Sequence, residues 1–227
     1  MTHLVVGAGQ VGVAVHKVLS AAHQVTVRDL TPVNVHADVL HVCIPWSDRF
    51  TAAVKEHADV HGASLVVVHS TVPVGTCDPH GWVHSPVRGR HPRLAESLRA
   101  FVKHFGGPLA GEAAPAFEAA GCPTMCHPRA AETEAAKLWE LTQFGVSVLV
   151  EKKIHAWCQE QGLDFGTVYT TFAETYNAGY RALGEDRFIR PVLEHMPGPI
   201  GGHCVRENAT LLGHPLGAWI NGDGDAP

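Results

Sequence analysis

In the first third of the chain, apolar residues come in short, β-branched runs separated by stretches with helical spacing. Residues 3–6 (H-L-V-V), 24–28 (Q-V-T-V-R), 38–44 (D-V-L-H-V-C-I), 64–69 (S-L-V-V-V-H) and 81–84 (G-W-V-H) read as buried strands. Between the first two, Val11, Val15, Val18 and Leu19 recur at helical spacing, and residues 48–60 form a second helical stretch. The link 30–37 is too short for a crossover helix, so one connection is expected without one. Residues 94–104 and 114–120 read as helices, with Gly106-Gly107-Pro108 as a break between them. From 130 to 161 the spacing predicts one long helix, with Gly145 as a close-packing or bending point and Gly162 as its stop. Asp164 is placed to cap a further helix reaching residue 183, and residues 206–212 read as a short last one.

The first strand leads directly into Gly7-Ala8-Gly9-Gln10-Val11-Gly12, which is G-x-G-x-x-G between a strand and a helix. Such glycines make the tight turn, admit a pyrophosphate and let the helix pack on the sheet, while the helix N-terminus faces the phosphates. The second strand ends before Asp29, where a carboxylate holds the adenine ribose hydroxyls. Asp29 repels a 2′-phosphate and favours NAD over NADP, and neighbouring Arg28 keeps NADP open. The expected fold class is therefore α/β: a Rossmann-type, mostly parallel sheet over residues 1–128, then an all-helical domain over 129–227. Pro45, after the third strand, and Ser70 and Thr71, after the fourth, complete the expected cofactor set at the carboxyl edge of the sheet.

Late in the chain, Pro197-Gly198-Pro199-Ile200-Gly201-Gly202-His203-Cys204-Val205 sets one cysteine behind two glycines and ahead of the last helix. Two readings fit. A thiol at a helix N-terminus sits in positive potential, which raises its thiolate fraction and suits nucleophilic catalysis. The same stretch also reads as a tight turn followed by a small buried hydrophobe.

Ser70-Thr71-Val72-Pro73-Val74-Gly75-Thr76, following a buried strand, resembles a motif of the UDP-glucose/GDP-mannose dehydrogenase family. The resemblance extends to the G-x-G-x-x-G, to A-E-T-E-A-A-K-L at 131–138, to G-E-D-R-F-I at 184–189 and to the stretch around Cys204, in the family's order. It implies a nucleotide-sugar alcohol oxidised to a carboxylate by two NAD in turn. Cys204 matches the family's nucleophile, which forms a thiohemiacetal and then a thioester that water hydrolyses. Lys137 matches the lysine that stabilises the developing oxyanion. The resemblance also implies a homodimer through the helical domain. Three positions depart from the family: Leu141 replaces an asparagine, Asn208 an aspartate and Val87 an acid. The family's second, nucleotide-gripping domain has no counterpart in residues 213–227. The expected substrate is accordingly a small anionic, sugar-like alcohol or aldehyde. Two alternatives stand beside this: a single-hydride enzyme resembling the hydroxyacid and 6-phosphogluconate dehydrogenases, or an inactive nucleotide-binding module.

His84-Ser85-Pro86-Val87-Arg88-Gly89-Arg90-His91-Pro92-Arg93 packs three arginines and two histidines into ten residues and is the expected anion site, with His84, Arg88, Arg90 and His91 as its residues and His84 or His91 as a proton carrier. A solvated basic loop is the other reading. Cys122-Pro123-Thr124-Met125-Cys126-His127 lacks a zinc spacing, so no metal is expected and these cysteines read as buried in a strand. A formal net charge of -5 gives no general attraction to nucleic acid or acidic membranes. No apolar run approaches a membrane span and the start shows no signal-peptide pattern, so a cytoplasmic protein with reduced thiols is expected.

Overall fold

A computed structural model describes residues 1–200 and 203–222, with only the backbone at His203 and Cys204. Gly201, Gly202 and the Cys204 side chain lie outside the described residues. The chain divides into two compact units, Met1–Leu138 and Trp139–Pro227.

The first unit is built on seven strands in the order β2-β1-β3-β4-β5-β6-β7. These are β1 (His3–Val6), β2 (Val25–Arg28), β3 (Val39–Val42), β4 (Leu65–Val68), β5 (Val83–His84), β6 (Lys103–Gly106) and β7 (Thr124–His127). All neighbours pair parallel except β5 with β6, where His84 opposes Gly106. Helix α1 (Gln10–Leu19) follows β1, α2 (Phe50–His61) follows β3, and the link from β2 to β3 carries no helix, as its length required. Alternation along β1 sends Val5 to one face, with Val15 and Phe117, and Leu4 and Val6 to the other, with Phe50 and Val54.

The stretch 94–104 is not one helix. Helix α3 (Leu94–Ala100) stops where Phe101 turns extended (φ −99°, ψ 145°), and β6 begins at Lys103. The alternation of Lys103 and Phe105, both facing inward, was concealed because the first of the pair is a lysine. Helix α4 (Ala110–Ala119) starts ahead of residue 114 and carries Pro115 inside it. The cysteines before and in β7 also differ from expectation: Cys122 is buried ahead of the strand, whereas Cys126 in it is exposed.

Helix α5 (Ala130–Gln161) begins in the first unit and continues in the second. Its N-terminus is capped from outside by Asp78, whose carboxylate accepts the Ala130 and Ala131 N–H groups at 2.7 and 3.3 Å. In the second unit Asp164 accepts from the Thr167 N–H at 2.8 Å, opening a π-helical turn, Gly166–Thr171, that runs into α6 (Phe172–Ala182). Helix α7 (His203–Leu212) starts ahead of the expected residue 206, and α8 (Pro215–Asn221) was not expected. Its signal was His214-Pro215: the ring accepts the Leu216 N–H and proline occupies the first helical position. Gly145 is a close-packing point, since a Cβ there would lie 2.7 Å from Val205 Cγ1. The described residues of this unit are helical or irregular, without a strand, and no helix among them is long and apolar enough to cross a membrane.

Candidate functional site

The candidate cofactor residues collect at one edge because parallel strands all deliver their following loops there. Gly7–Gly12 follow β1, Asp29 follows β2, Pro45 lies beyond β3, and Ser70 and Thr71 follow β4. The three glycines differ in their constraints. Gly7 has φ +97°, and a Cβ on it would lie 2.7 Å from the Cys43 carbonyl oxygen. Gly12 lies in α1 against the Gly7 carbonyl. At Gly9 nothing lies within 4 Å of where a Cβ would be, so the backbone is open to a close-approaching ligand. Gln10 is exposed and Val11 half-buried. Asp29 is exposed, and its Oδ1 accepts the Ala8 N–H at 3.2 Å, holding the acid beside the glycine turn. Arg28 turns instead toward His57 of α2, 2.8 Å from Nε2. These features fit a dinucleotide: an open glycine backbone, a helix N-terminus and an adjacent carboxylate.

Ser70 does not offer a free hydroxyl to this edge. Its Oγ donates to the Ile44 carbonyl at 2.6 Å and so ties the ends of β3 and β4 together. The loop after it is held by a residue that sequence reasoning missed. Glu134, fully buried on α5, accepts the Gly75 N–H at 2.6 Å and the Cys77 N–H at 2.8 Å, one on each carboxylate oxygen. In the sequence it reads as one more polar helix residue in A-E-T-E-A-A-K-L, and only the tertiary contact shows its partners. Glu134→Gln preserves shape but leaves one buried N–H facing an amide N–H₂. It is expected to lower stability by about 1–3 kcal/mol in urea unfolding. Unchanged stability would show that these bonds do not hold the loop.

His84 is corrected by the structure. It was expected at a substrate anion, but it is fully buried at the end of β5. Its Nε2 donates to the Ser70 carbonyl at 3.2 Å, so Nδ1 accepts from the Thr133 hydroxyl at 2.8 Å. Burial, with Lys103 and Lys137 adding repulsion, pushes its pKa down to about 3. His84 is thus a neutral ring that positions Ser70, and it carries no proton to solvent near neutrality. Arg88, half-buried, and Arg90 and His91, both exposed, follow β5 along the same sheet edge. Arg90, His91 and Arg93 line a cavity of about 490 Å³ with Glu96, which pairs with Arg93.

Lys137 is half-buried one turn beyond Glu134. Val87 is buried in the sheet core, and Leu141 is half-buried in the second unit, where Asn208 is buried. Cys204 lies in the first turn of α7. Three other thiols are poor nucleophiles: burial pushes Cys43 up to about 12 and raises Cys77 and Cys122 as well. Among the described residues no group of acidic, histidine and cysteine side chains is arranged to hold a metal ion.

No protein-family model matches the sequence, and no curated protein is significantly similar to it. Solved structures do match. The UDP-D-ManNAc dehydrogenase of Pyrococcus horikoshii superposes with a TM-score of 0.76 at 17% identity, over 98% of this chain and 68% of that one. The UDP-glucose dehydrogenase of Pyrobaculum islandicum gives 0.73 at 15% identity, over 98% and 67%. The 3-hydroxyisobutyrate dehydrogenase of Mycobacterium tuberculosis gives 0.67 at 18%, over 96% of this chain and 90% of that one. The fold is that of these dehydrogenases. The Rossmann-type α/β class expected from the alternating strands and the glycine turn is thereby shown, independently of any sequence match.

Proposed function

We propose that the protein is an NAD-dependent dehydrogenase that oxidises an alcohol or aldehyde on a small anionic, sugar-like substrate. The observation that carries this reading is the glycine turn of a dehydrogenase fold, open at Gly9 and flanked by Asp29. The dinucleotide, when bound, supplies the hydride acceptor. Gly7, Gly9, Gln10, Val11 and Gly12 hold its pyrophosphate, Asp29 its ribose, and Pro45, Ser70 and Thr71 border its nicotinamide end. Arg28 is engaged by His57, which supports NAD over NADP. Arg88, Arg90 and His91 bind the substrate's anionic group. Cys204 attacks the aldehyde carbon through sulfur and Lys137 steadies the oxyanion. The raised thiols elsewhere support Cys204 as the nucleophile.

A second reading, a single reversible hydride transfer without a covalent step, is favoured by the match over 90% of the 3-hydroxyisobutyrate dehydrogenase chain. The protein acts as a homodimer in either reading. Trp139, Phe144, Val150 and Trp157 on the second unit's part of α5 are all exposed, which supports a partner over that helix. The free thiols of Cys43, Cys77, Cys122, Cys126 and Cys158 support a cytoplasmic location.

Calorimetry is expected to show NAD bound at least about tenfold more tightly than NADP, because Asp29 repels the extra phosphate. Carboxylate- and phosphate-bearing alcohols and aldehydes are then screened for formation of reduced nicotinamide. Aldehyde oxidation that disappears in Cys204→Ala supports the covalent step, and turnover that survives it supports the second reading. NAD binding without turnover on any substrate class points to a nucleotide-binding module, and absence of NAD binding overturns the proposal.

A further inference from the structure

The first unit's core contains a line of polar groups that the proposed function does not use. His3 on β1, His41 on β3 and His69 just after β4 lie on the face that packs against α4, with the Phe117 ring edge-on to His41 and His69 at 5.8 and 5.6 Å. Their nitrogens are in succession: His3 Nδ1 to His41 Nε2 is 3.0 Å, His41 Nδ1 to His69 Nε2 is 3.0 Å, and His69 Nδ1 lies 2.8 Å from the Ser85 carbonyl. Lys103 ends the line. Its Nζ is 3.3 Å from His69 Nδ1 and 2.9 Å from the same Ser85 carbonyl. All four side chains are at most 3% exposed.

Two polarities satisfy these contacts, and they differ in which group serves the Ser85 carbonyl. In the first, His69 donates from Nδ1 to the Ser85 carbonyl, which can only accept, and accepts on Nε2. His41 then donates from Nδ1 and accepts from His3 Nδ1. All three rings are neutral Nδ1–H tautomers, and the His3 Nε2 lone pair remains, buried and without a hydrogen-bond partner among the described residues. The His23 ring, half-buried, stands 4.8 Å from that of His3.

We propose that His3, His41, His69 and Lys103 form a proton relay, entered at His3 and ending on the Lys103 amine. A proton arriving on His3 Nε2 releases the Nδ1 proton to His41 Nε2. His41 passes its Nδ1 proton to His69 Nε2, and His69 passes its own to the neutral amine. One proton enters, one N–H bond forms on Lys103, and each ring ends as the Nε2–H tautomer, with His69 Nδ1 now accepting from the new ammonium. The Ser85 carbonyl retains a donor throughout. The relay moves a proton between His3 Nε2, beside the half-buried His23 ring, and the fully buried amine. It thereby sets the charge beneath the carboxyl edge, because Lys103 also approaches the Pro86 carbonyl at 3.5 Å, just before Arg88.

The groups facing this line suit the role. Burial, then Cys43, Cys122 and Lys137, set the Lys103 environment, and the ammonium is pushed down to about 7. His41 faces His3, Lys103 and His23, and His69 faces Lys103, His41 and His84; burial holds both well below the ordinary value. His3 faces His23, the chain's amino group and Asp38, and is lowered to about 4, chiefly by burial. The rings therefore stay neutral at the pH where Lys103 titrates. This inference does not depend on the dehydrogenase reading.

The test is nitrogen NMR of the histidine rings in the full chain, labelled with ¹⁵N, across roughly pH 5 to 9. On lowering pH, His3, His41 and His69 are expected to exchange Nδ1–H for Nε2–H together, remaining neutral, at the midpoint where the Lys103 side chain titrates. Lys103→Met is expected to hold all three as Nδ1–H at every pH. Rings that titrate singly to imidazolium, or tautomers that stay fixed through the range, would overturn the relay. Coincidence of the ring and lysine midpoints is read on the unmutated protein, so the test survives a variant that fails to fold.

Discussion

Gly12→Ala is expected to abolish dinucleotide binding and to lower stability by more than about 3 kcal/mol, while Gly9→Ala leaves stability unchanged within about 0.5 kcal/mol. At Gly12 the added Cβ would lie 1.8 Å from the Gly7 carbonyl oxygen and 2.9 Å from its carbon. Both are backbone atoms, so no side chain can rotate away. Gly7 is itself confined, since it sits at φ +97° and even a Cβ on it would lie 2.7 Å from the Cys43 carbonyl oxygen. The clash must be relieved by moving α1 off β1, which uncovers Val15, Val18 and Leu19. Gly9 presents the opposite case. Its φ of −67° and ψ of −176° are open to any residue, and a methyl group there meets nothing in the protein. Any loss of NAD affinity in Gly9→Ala therefore comes from the ligand's own approach. Urea unfolding and calorimetry on the two variants separate what the turn needs to exist from what it needs to bind. A Gly12→Ala protein of native stability that still binds NAD would refute this account.

The fold was legible where local pattern and burial agree. The β-branched strands β1, β3 and β4 and the glycine turn announced a dinucleotide-type sheet, and the long α5 was found over its full length. It became illegible where a buried residue is polar. β6 was read as the end of a helix because Lys103 and His104 lead into Phe105, and a lysine in the core breaks the apolar alternation that marks a strand. His84 suffered the reverse error. Three arginines and two histidines within ten residues suggest an anion site, yet His84 belongs to the strand before the loop and its ring points into the protein. Glu134 and Asp78 were missed for a third reason. Their function is to hold backbone N–H groups far away in sequence, Gly75 and Cys77 for one and the start of α5 for the other. No spacing rule exposes such bonds, since the donors are backbone groups common to every residue.

Lys103→Met is expected to stabilise the protein by about 2–4 kcal/mol at neutral and lower pH, and to remove a rise in stability that the unmutated chain shows in alkali. The sign follows from where the protons are. In the folded chain burial lowers the Lys103 ammonium from 10.5 to about 7. Below about 7 both folded and unfolded chains hold this proton, and the full penalty of burying the charge is present. Between about 7 and 10.5 the unfolded chain holds a proton that the folded chain has released, so raising pH favours folding. The penalty is gone above that window. The variant also forfeits the bonds that the amine makes to the Ser85 and Pro86 carbonyls whether charged or neutral, worth about 1 kcal/mol each, so the expected gain is smaller than the whole shift. Methionine fills the same volume between the Phe105 and Phe117 rings. The acid limb should survive the substitution, because it has another origin. His3 and His84 are lowered from 6.5 to about 4 and about 3, so below pH 6.5 the unfolded chain takes up protons that the folded chain refuses, and stability falls. Urea midpoints measured from acid to alkali on both proteins should therefore run parallel and furthest apart below about pH 7, and converge between about 7 and 10.5. Parallel curves across the whole range would mean that Lys103 does not titrate inside the fold, and the relay would lose its terminus with it.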